Sequence, residues 1–135
     1  MKWRFFRHLQ SGGDADDCAL YRWHIERRSG VRIRAGVATD GWKRSIDEYV
    51  TSATALFKSM DRFGFLGSVP VDPDGELLDG SHRVACAVAL GMPDIPVAPM
   101  SRKVWAPAWD YDWFKARMTQ DGLDRVMADW AAMRA

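Results

Sequence analysis

Residues 77–91, with the sequence LLDGSHRVACAVALG, place the tightest constraint on how this chain folds. The two leucines are typical of the end of a buried strand. Asp79 and Gly80 then predict a tight turn, because glycine adopts backbone angles that other residues resist. The apolar residues after the turn have helical spacing, and Gly91 is a typical helix stop. The pattern predicts a strand that leads through a turn directly into a helix.

Four polar residues lie at this predicted junction: Asp79, Ser81, His82 and Arg83. The free N–H groups at a helix N-terminus favour an anion, and the helix dipole adds to that preference. A cationic imidazole and a guanidinium in the first turn would strengthen the attraction for phosphate. The junction is therefore the candidate site of chemistry.

The composition narrows the class of protein. A chain of 135 residues with a net charge of +1 fits one soluble domain and lacks the basic excess typical of nucleic-acid binding. The seven tryptophans favour aromatic packing, with a pocket for a flat ligand as the alternative. Cys18 and Cys86 are expected to be buried thiols, although a disulfide stays open. The charged first residues do not fit a signal peptide, so we expect a cytoplasmic protein without a membrane segment.

The first half of the chain predicts two helices and one strand. The flexible sequence Ser-Gly-Gly at residues 11–13 makes residues 1–13 a loosely attached arm. A helix is expected over residues 14–29, followed by a half-buried strand over residues 31–35, where apolar and charged residues alternate. Ser45 and Glu48 form a capping-box pattern that begins a second amphipathic helix, which ends at Gly64.

The second half predicts a sheet and a helical tail. Residues 65–72 and 76–79 are expected to be strands joined by a hairpin-type turn, and residues 95–98 form another short strand. An aromatic helical tail occupies residues 103–135. The prediction is a single α+β domain over residues 1–135, with a small mixed sheet and helices packed around it.

The order of these motifs resembles the ParB/sulfiredoxin-like fold over residues 45–98. In sulfiredoxins the residue before the His-Arg pair is the catalytic cysteine, whereas this chain has Ser81, which argues against sulfinic acid reduction. The partition proteins of the family carry a Gly-Glu-x-x-Arg motif and a following DNA reader, and this chain lacks both. Its Asp-Gly-x-His-Arg sequence is similar to the motif of free-serine kinases. The resemblance therefore implies a small-molecule kinase or another nucleotide-using phosphotransferase.

The resemblance also implies roles for individual residues. Asp79 would act in catalysis as a ligand of Mg²⁺ or by orienting the phosphates. His82 would stabilise the charge that develops on the transferred group. The residues expected to bind the nucleotide are Gly80, Ser81, His82, Arg83 and, on the preceding helix, Ser59. The alternative for each is a turn, capping or surface role.

Glu48 is the candidate base that takes a proton from an acceptor hydroxyl, although its capping position explains it equally well. Trp23, His24 and Arg27 on the first helix, with Trp109 in the tail, are the candidate acceptor-binding residues. Aromatic faces suit a sugar ring, and arginine suits a carboxylate. Ordinary core packing is the alternative for each tryptophan.

The function expected from the sequence is an ATP-dependent kinase, with Mg²⁺, that acts on a hydroxyl of a small metabolite such as an amino acid or a sugar. The alternative is a ParB-like module that binds a nucleotide and a protein or DNA partner without catalysis. A nuclease is the least favoured alternative, because one aspartate and one histidine make a poor metal-nuclease site. The sequence does not identify the acceptor, the preferred nucleotide or the oligomeric state.

Overall fold

The computed structural model describes residues 1–103 and 111–134. The helices and strands in these residues are α1 (Lys2–Gln10), α2 (Ala19–Arg34), α3 (Ile46–Phe63), β1 (Val69–Val71), α4 (Ser81–Ala89), β2 (Val97–Pro99), α5 (Tyr111–Lys115) and α6 (Gln120–Arg134). A short 3₁₀ turn, Ala15–Asp17, precedes α2. The chain is therefore α+β, as expected, with helix far exceeding sheet.

Residues 1–13 were predicted to be a loosely attached arm, but helix α1 within them is part of the core. Phe5 and Phe6 of α1 are fully buried, and α1 packs against α2, α3 and above all α4. The glycines that were expected to be a flexible joint instead close a turn, in which Gly13 N–H donates to the carbonyl of His8 at 2.9 Å. Gly12 supplies the left-handed backbone that this turn requires, with φ of 81°.

Helix α2 runs five residues beyond the predicted end, so the strand predicted over residues 31–35 is wrong. Apolar residues two apart satisfy a strand pattern, but here Ile33 packs on the core as part of a helix. Gly30 is buried inside the helix, where a Cβ would meet the flexible end of the Glu26 side chain. A glycine therefore lies within the helix at this position and does not end it.

Helix α3 confirms the capping-box prediction. The Glu48 N–H donates to Ser45 Oγ at 3.1 Å, and the Ser45 N–H donates back to Glu48 Oε2 at 3.2 Å. Gly64 ends the helix with φ of 77°. Both ends of α3 are thus fixed by the residues that the sequence indicated.

The sheet consists of β1 and β2, which pair in parallel with Val69 opposite Val97. Helix α4 lies between them in the chain, so β1, α4 and β2 form a crossover unit. The strand predicted over residues 76–79 is reduced to a single antiparallel bridge between Val71 and Leu77. This bridge brings the chain back beside β1 immediately before the turn into α4.

A single apolar cluster joins helices α1 to α4, and its largest fully buried side chains include Phe5, Phe6, Tyr21, Ile25 and Tyr49. Cys18 and Cys86 are buried free thiols. In the tail, Asp129 of α6 is buried and pairs with Arg4 of α1 at 2.7 Å. Within the described part of the chain, none of the helices has the length and apolar character needed to cross a membrane.

Candidate functional site

The turn from Asp79 to Arg83 begins α4, and Gly80 makes this turn possible. Gly80 has φ of 86°, and a Cβ at this position would lie 2.8 Å from Val69 Cγ1. Both the backbone angle and the contact with β1 therefore require glycine. Asp79 Oδ1 accepts a hydrogen bond from the Gly80 N–H at 2.6 Å, which holds the carboxylate at the turn.

A cavity of about 460 Å³, here called the central pocket, opens beside this turn. Its lining combines α2, the loop after it, α3 and the start of α4: Arg28, Asp40, Lys43, Tyr49, Ser52, Ala53, Leu56, Asp79, Gly80, Ser81, His82 and Arg83. The N-terminal end of α4 thus borders a space that also carries basic side chains. The sequence-predicted motif from Asp79 to Arg83 lies entirely on the wall of this pocket.

Asp40 holds two of the basic side chains in place. Its carboxylate pairs with Arg28 at 3.2 Å and lies 3.8 Å from the Lys43 ammonium. Burial alone would raise the pKa of Asp40, but Arg28, the Tyr49 hydroxyl and Lys43 outweigh it and lower the pKa. Asp40 also has a left-handed backbone with φ of 47°, a conformation that aspartate tolerates better than most residues.

Tyr49 anchors the loop that carries Asp40 and Lys43. Its hydroxyl is hydrogen-bonded to Thr39 Oγ1 at 2.7 Å and to Ser29 Oγ at 3.3 Å. The Lys43 ammonium lies 4.9 Å from the centroid of the Tyr49 ring. A buried aromatic residue of α3 therefore positions the cationic loop over the pocket.

The structure corrects the expectation that His82 is cationic. Burial, followed by the nearby charges of Lys2 and Arg28, lowers the pKa of His82 to about 3. Its Nε2 lies 2.9 Å from the Tyr21 hydroxyl, and burial raises the pKa of that hydroxyl, so the phenol stays protonated. His82 is a neutral, oriented hydrogen-bonding group at neutral pH.

Arg83 lines the central pocket, but part of its guanidinium has a structural partner. Nη1 donates to the carbonyl of Ser68 at 3.0 Å, and the guanidinium lies 5.9 Å from the centroid of the Phe65 ring. These contacts fix the side chain between α4 and the segment before β1. A guanidinium has five N–H donors, so this arrangement leaves donor capacity for a ligand.

Lys2 is a site residue that the sequence reasoning missed. Its ammonium donates to Ser81 Oγ at 2.5 Å, which ties the start of α1 to the start of α4. Burial and the proximity of Arg28 lower the pKa of Lys2 to about 8. The signal that pointed to it was the apolar spacing of Phe5 and Leu9, which is typical of a packed helix and not of a loose arm.

A second cavity, here called the side pocket, has a volume of about 440 Å³. Its lining residues are Met1, Lys2, His24, Arg28, Leu77, Leu78, Asp79 and Ser81. It shares Arg28, Asp79 and Ser81 with the central pocket. Burial, with further contributions from Lys2 and Arg28, lowers the pKa of His24 to about 3, so this wall is neutral too.

Two residues of α3 with predicted roles lie outside both pockets. Glu48 accepts hydrogen bonds from the backbone N–H groups of Arg44 and Ser45, so its carboxylate is occupied at the helix N-terminus. The serine of α3 that lines the central pocket is Ser52, and Ser59 lies two helical turns further along the same face. The geometry therefore does not bring Glu48 or Ser59 to the candidate site.

Of the residues predicted to bind the acceptor, one lines a pocket, two do not, and one lies outside the described residues. His24 lines the side pocket. Trp23 and Arg27 do not line either pocket but contact each other, with the guanidinium carbon 5.7 Å from the Trp23 ring centroid. Trp109 lies outside the described residues. Trp23 of α2 therefore does not give either pocket the aromatic lining that was expected for the acceptor.

Comparison of the chain with protein-family models, with curated proteins and with solved structures found no match.

Proposed function

We propose that this protein is a nucleotide-dependent phosphotransferase, with ATP as the donor and a hydroxyl of a small metabolite as the acceptor. One observation carries the proposal: the start of α4, with the Asp-Gly-Ser-His-Arg motif, borders a cavity that also contains Arg28 and Lys43. The β1–α4–β2 crossover and the motif at its turn are compatible with the ParB/sulfiredoxin-like resemblance.

The central pocket has the size and charge that a polyphosphate requires. Its volume of about 460 Å³ lies within the range of roughly 300–1,000 Å³ that is usual for ligand pockets. Arg28, Lys43 and Arg83 outnumber the lining carboxylates Asp40 and Asp79. Cationic donors of this kind form strong hydrogen bonds with phosphate oxygens.

In the proposed reaction, the acceptor hydroxyl oxygen forms a bond to the terminal phosphorus of ATP. The bond from that phosphorus to the bridging oxygen breaks, and its electron pair remains on the ADP that leaves. The hydroxyl proton passes to the Asp79 carboxylate, since Glu48 is engaged in the helix cap and Asp40 in ion pairs. The reaction then depends on positioning and charge stabilisation, which the pocket supplies.

Mg²⁺ suits this site through Asp79, whose exposed carboxylate forms no ion pair with a basic side chain of the described residues. Mg²⁺ commonly binds one or two carboxylates together with substrate phosphates, so a cluster of protein ligands is not required. When bound, it would neutralise charge on the phosphates. Across residues 1–103 and 111–134, no group of three or more acidic, histidine or cysteine side chains forms a metal site.

The first test is nucleotide binding, measured by isothermal titration and thermal shift with ATP, ADP, GTP and CTP. Lys43→Met removes the ammonium that lies over the Tyr49 ring but keeps a side chain of similar length, and we expect it to weaken ADP binding about tenfold. Lys58→Met is the matched control, because Lys58 is an exposed lysine of α3 outside both pockets. If no nucleotide binds to the wild-type protein, the proposal is wrong.

Asp79→Asn separates the two roles assigned to this carboxylate. Loss of turnover with unchanged Mg²⁺-ATP affinity indicates a proton acceptor, whereas loss of the Mg²⁺ dependence of binding indicates a metal ligand. Turnover is followed by ³¹P NMR with hydroxyl acceptors. Tight nucleotide binding without turnover on any acceptor would instead favour the ParB-like binding module.

A further inference from the structure

We infer that the side pocket is the acceptor site and that it selects small hydroxy acids, with the carboxylate held by Lys2 and Arg28 and the reacting hydroxyl beside Asp79. This inference rests on the proposed function, because it uses the central pocket as the donor site. It adds the class of acceptor, which the sequence left open between an amino acid and a sugar.

The two pockets meet at the residues that transfer requires. Asp79 and Ser81 line both cavities, so the turn before α4 forms their common wall. A hydroxyl in the side pocket next to Asp79 therefore faces the end of a polyphosphate bound in the central pocket. Asp79, whose carboxylate accepts the proton, therefore lies between the donor site and the acceptor site.

The side pocket also carries two cationic side chains next to the wall that it shares with the central pocket. Lys2 and Arg28 both line the side pocket, and each lowers the pKa of His24 through its positive charge. Lys2 is also partly withdrawn from water, so an anion that reaches it recovers a charge interaction that solvent supplies only poorly. A carboxylate suits this pair, because Arg28 already pairs with Asp40 but Lys2 forms no ion pair within the described part of the chain, and a neutral sugar offers Lys2 no negative charge.

The remaining walls limit the acceptor further. Leu77 and Leu78 give the pocket an apolar side, and His24 is neutral. An ammonium group beside Lys2 and Arg28 would be repelled, so a hydroxy acid fits better than an amino acid. The acceptor that suits these walls is short, with a hydroxyl near Asp79 and a carboxylate near Lys2.

The test compares D-glycerate with glycerol, since a carboxylate in the first replaces one CH2OH group of the second. Each compound is titrated calorimetrically into the wild-type protein with and without saturating ADP. We expect D-glycerate to bind about tenfold more tightly than glycerol or better. D-Serine, in which an ammonium group replaces the 2-hydroxyl of D-glycerate with the same configuration, should bind more weakly than D-glycerate.

Lys2→Met should remove most of the preference for D-glycerate, whereas Lys2→Arg should retain it. Lys2→Met should reduce ADP affinity less than D-glycerate affinity, because Lys2 lines only the side pocket and reaches the central pocket through Ser81 and through its charge on His82. Lys58→Met again serves as the control. Both Lys2 variants are first checked by circular dichroism for native helix content.

The outcomes distinguish this inference from the proposed function. If ADP binds but D-glycerate binds no better than glycerol, or if Lys2→Met leaves its affinity unchanged, the acceptor assignment is overturned and the donor site stands. If D-glycerate binds in a Lys2-dependent manner but no nucleotide binds, phosphoryl transfer is wrong and the side pocket remains a carboxylate site.

Discussion

The buried His24 and the partly buried His82 should make the folded protein sensitive to mild acid. The pKa of each imidazole is lowered to about 3, mainly by burial and then by the nearby charge of Lys2. The usual value of 6.5 applies in the unfolded chain. The unfolded chain therefore binds these protons first, so stability is present above pH 6.5 and falls as the pH drops below it.

The loss of unfolding free energy in acid follows from the difference in imidazole pKa between the folded and the unfolded protein. At pH 5.0 an unfolded imidazole lies about 1.5 pH units below its pKa, and each unit is worth about 1.36 kcal/mol. Each histidine should thus remove about 2 kcal/mol of unfolding free energy between pH 7.5 and pH 5.0. The folded-state value hardly affects this figure, because pH 5.0 lies well above a pKa of about 3.

The assay is urea unfolding at pH 7.5 and pH 5.0 for the wild type, His24→Gln and His82→Gln. Each variant should lose about half of the acid sensitivity, and the double variant most of it. Glutamine keeps a hydrogen-bonding group near the Tyr21 hydroxyl, which limits other damage in His82→Gln. Asp40, whose pKa is lowered from 3.8, contributes only at more acidic pH.

An NMR titration of the imidazoles provides an independent check. Neither the His24 nor the His82 resonance should move between pH 5.0 and pH 8.0 in the free protein. A midpoint near pH 6.5 for either ring, or an acid sensitivity that both substitutions leave intact, would refute the reasoning.

Three further substitutions test the fold and the site. Phe6→Ala should cost about 3–5 kcal/mol in urea unfolding, because the ring is fully buried, whereas a loose arm would leave stability unchanged. Gly80→Ala should cost about 1–3 kcal/mol from the left-handed backbone and the contact with Val69, and it should displace α4 enough to weaken ADP binding; unchanged stability and binding would contradict this geometry. Glu48→Gln preserves the capping box but removes the carboxylate, so turnover and stability should both stay near wild type, and a collapse of turnover alone would restore Glu48 as the base.

Several elements were predictable from the sequence because they depend on neighbours in the chain. The cap at Ser45 and Glu48 spans three residues, and the turn at Gly80 depends on the backbone freedom of one residue. The short strand predicted over residues 95–98 also lies within two residues of β2, although its parallel pairing with the distant β1 was not predicted. The cap and the turn depend mainly on residues within one helical turn.

Elements governed by distant contacts were predicted wrongly. Glycines often mark flexible joints and helix ends, which is what the sequence predicted for residues 12–13 and 30. In the structure, residues 12–13 form a tight turn and Gly30 lies inside α2. Only the burial of Phe5 and Phe6 against α4 turns the first ten residues into part of the core. The conformational propensity of local sequence is a weak guide to structure where the free energy of tertiary packing exceeds it.

The sequence by itself determined the polar motif from Asp79 to Arg83 and the turn into α4 that presents it, whereas the strand predicted before the turn is only a single bridge. The tertiary structure decided what surrounds that motif: Lys2, Arg28 and Lys43 reach it from three separate parts of the chain. It also decided that His82 is neutral, since burial and those charges set its pKa. The charge state of a group and the shape of its pocket depend on everything packed around them, which no local pattern contains.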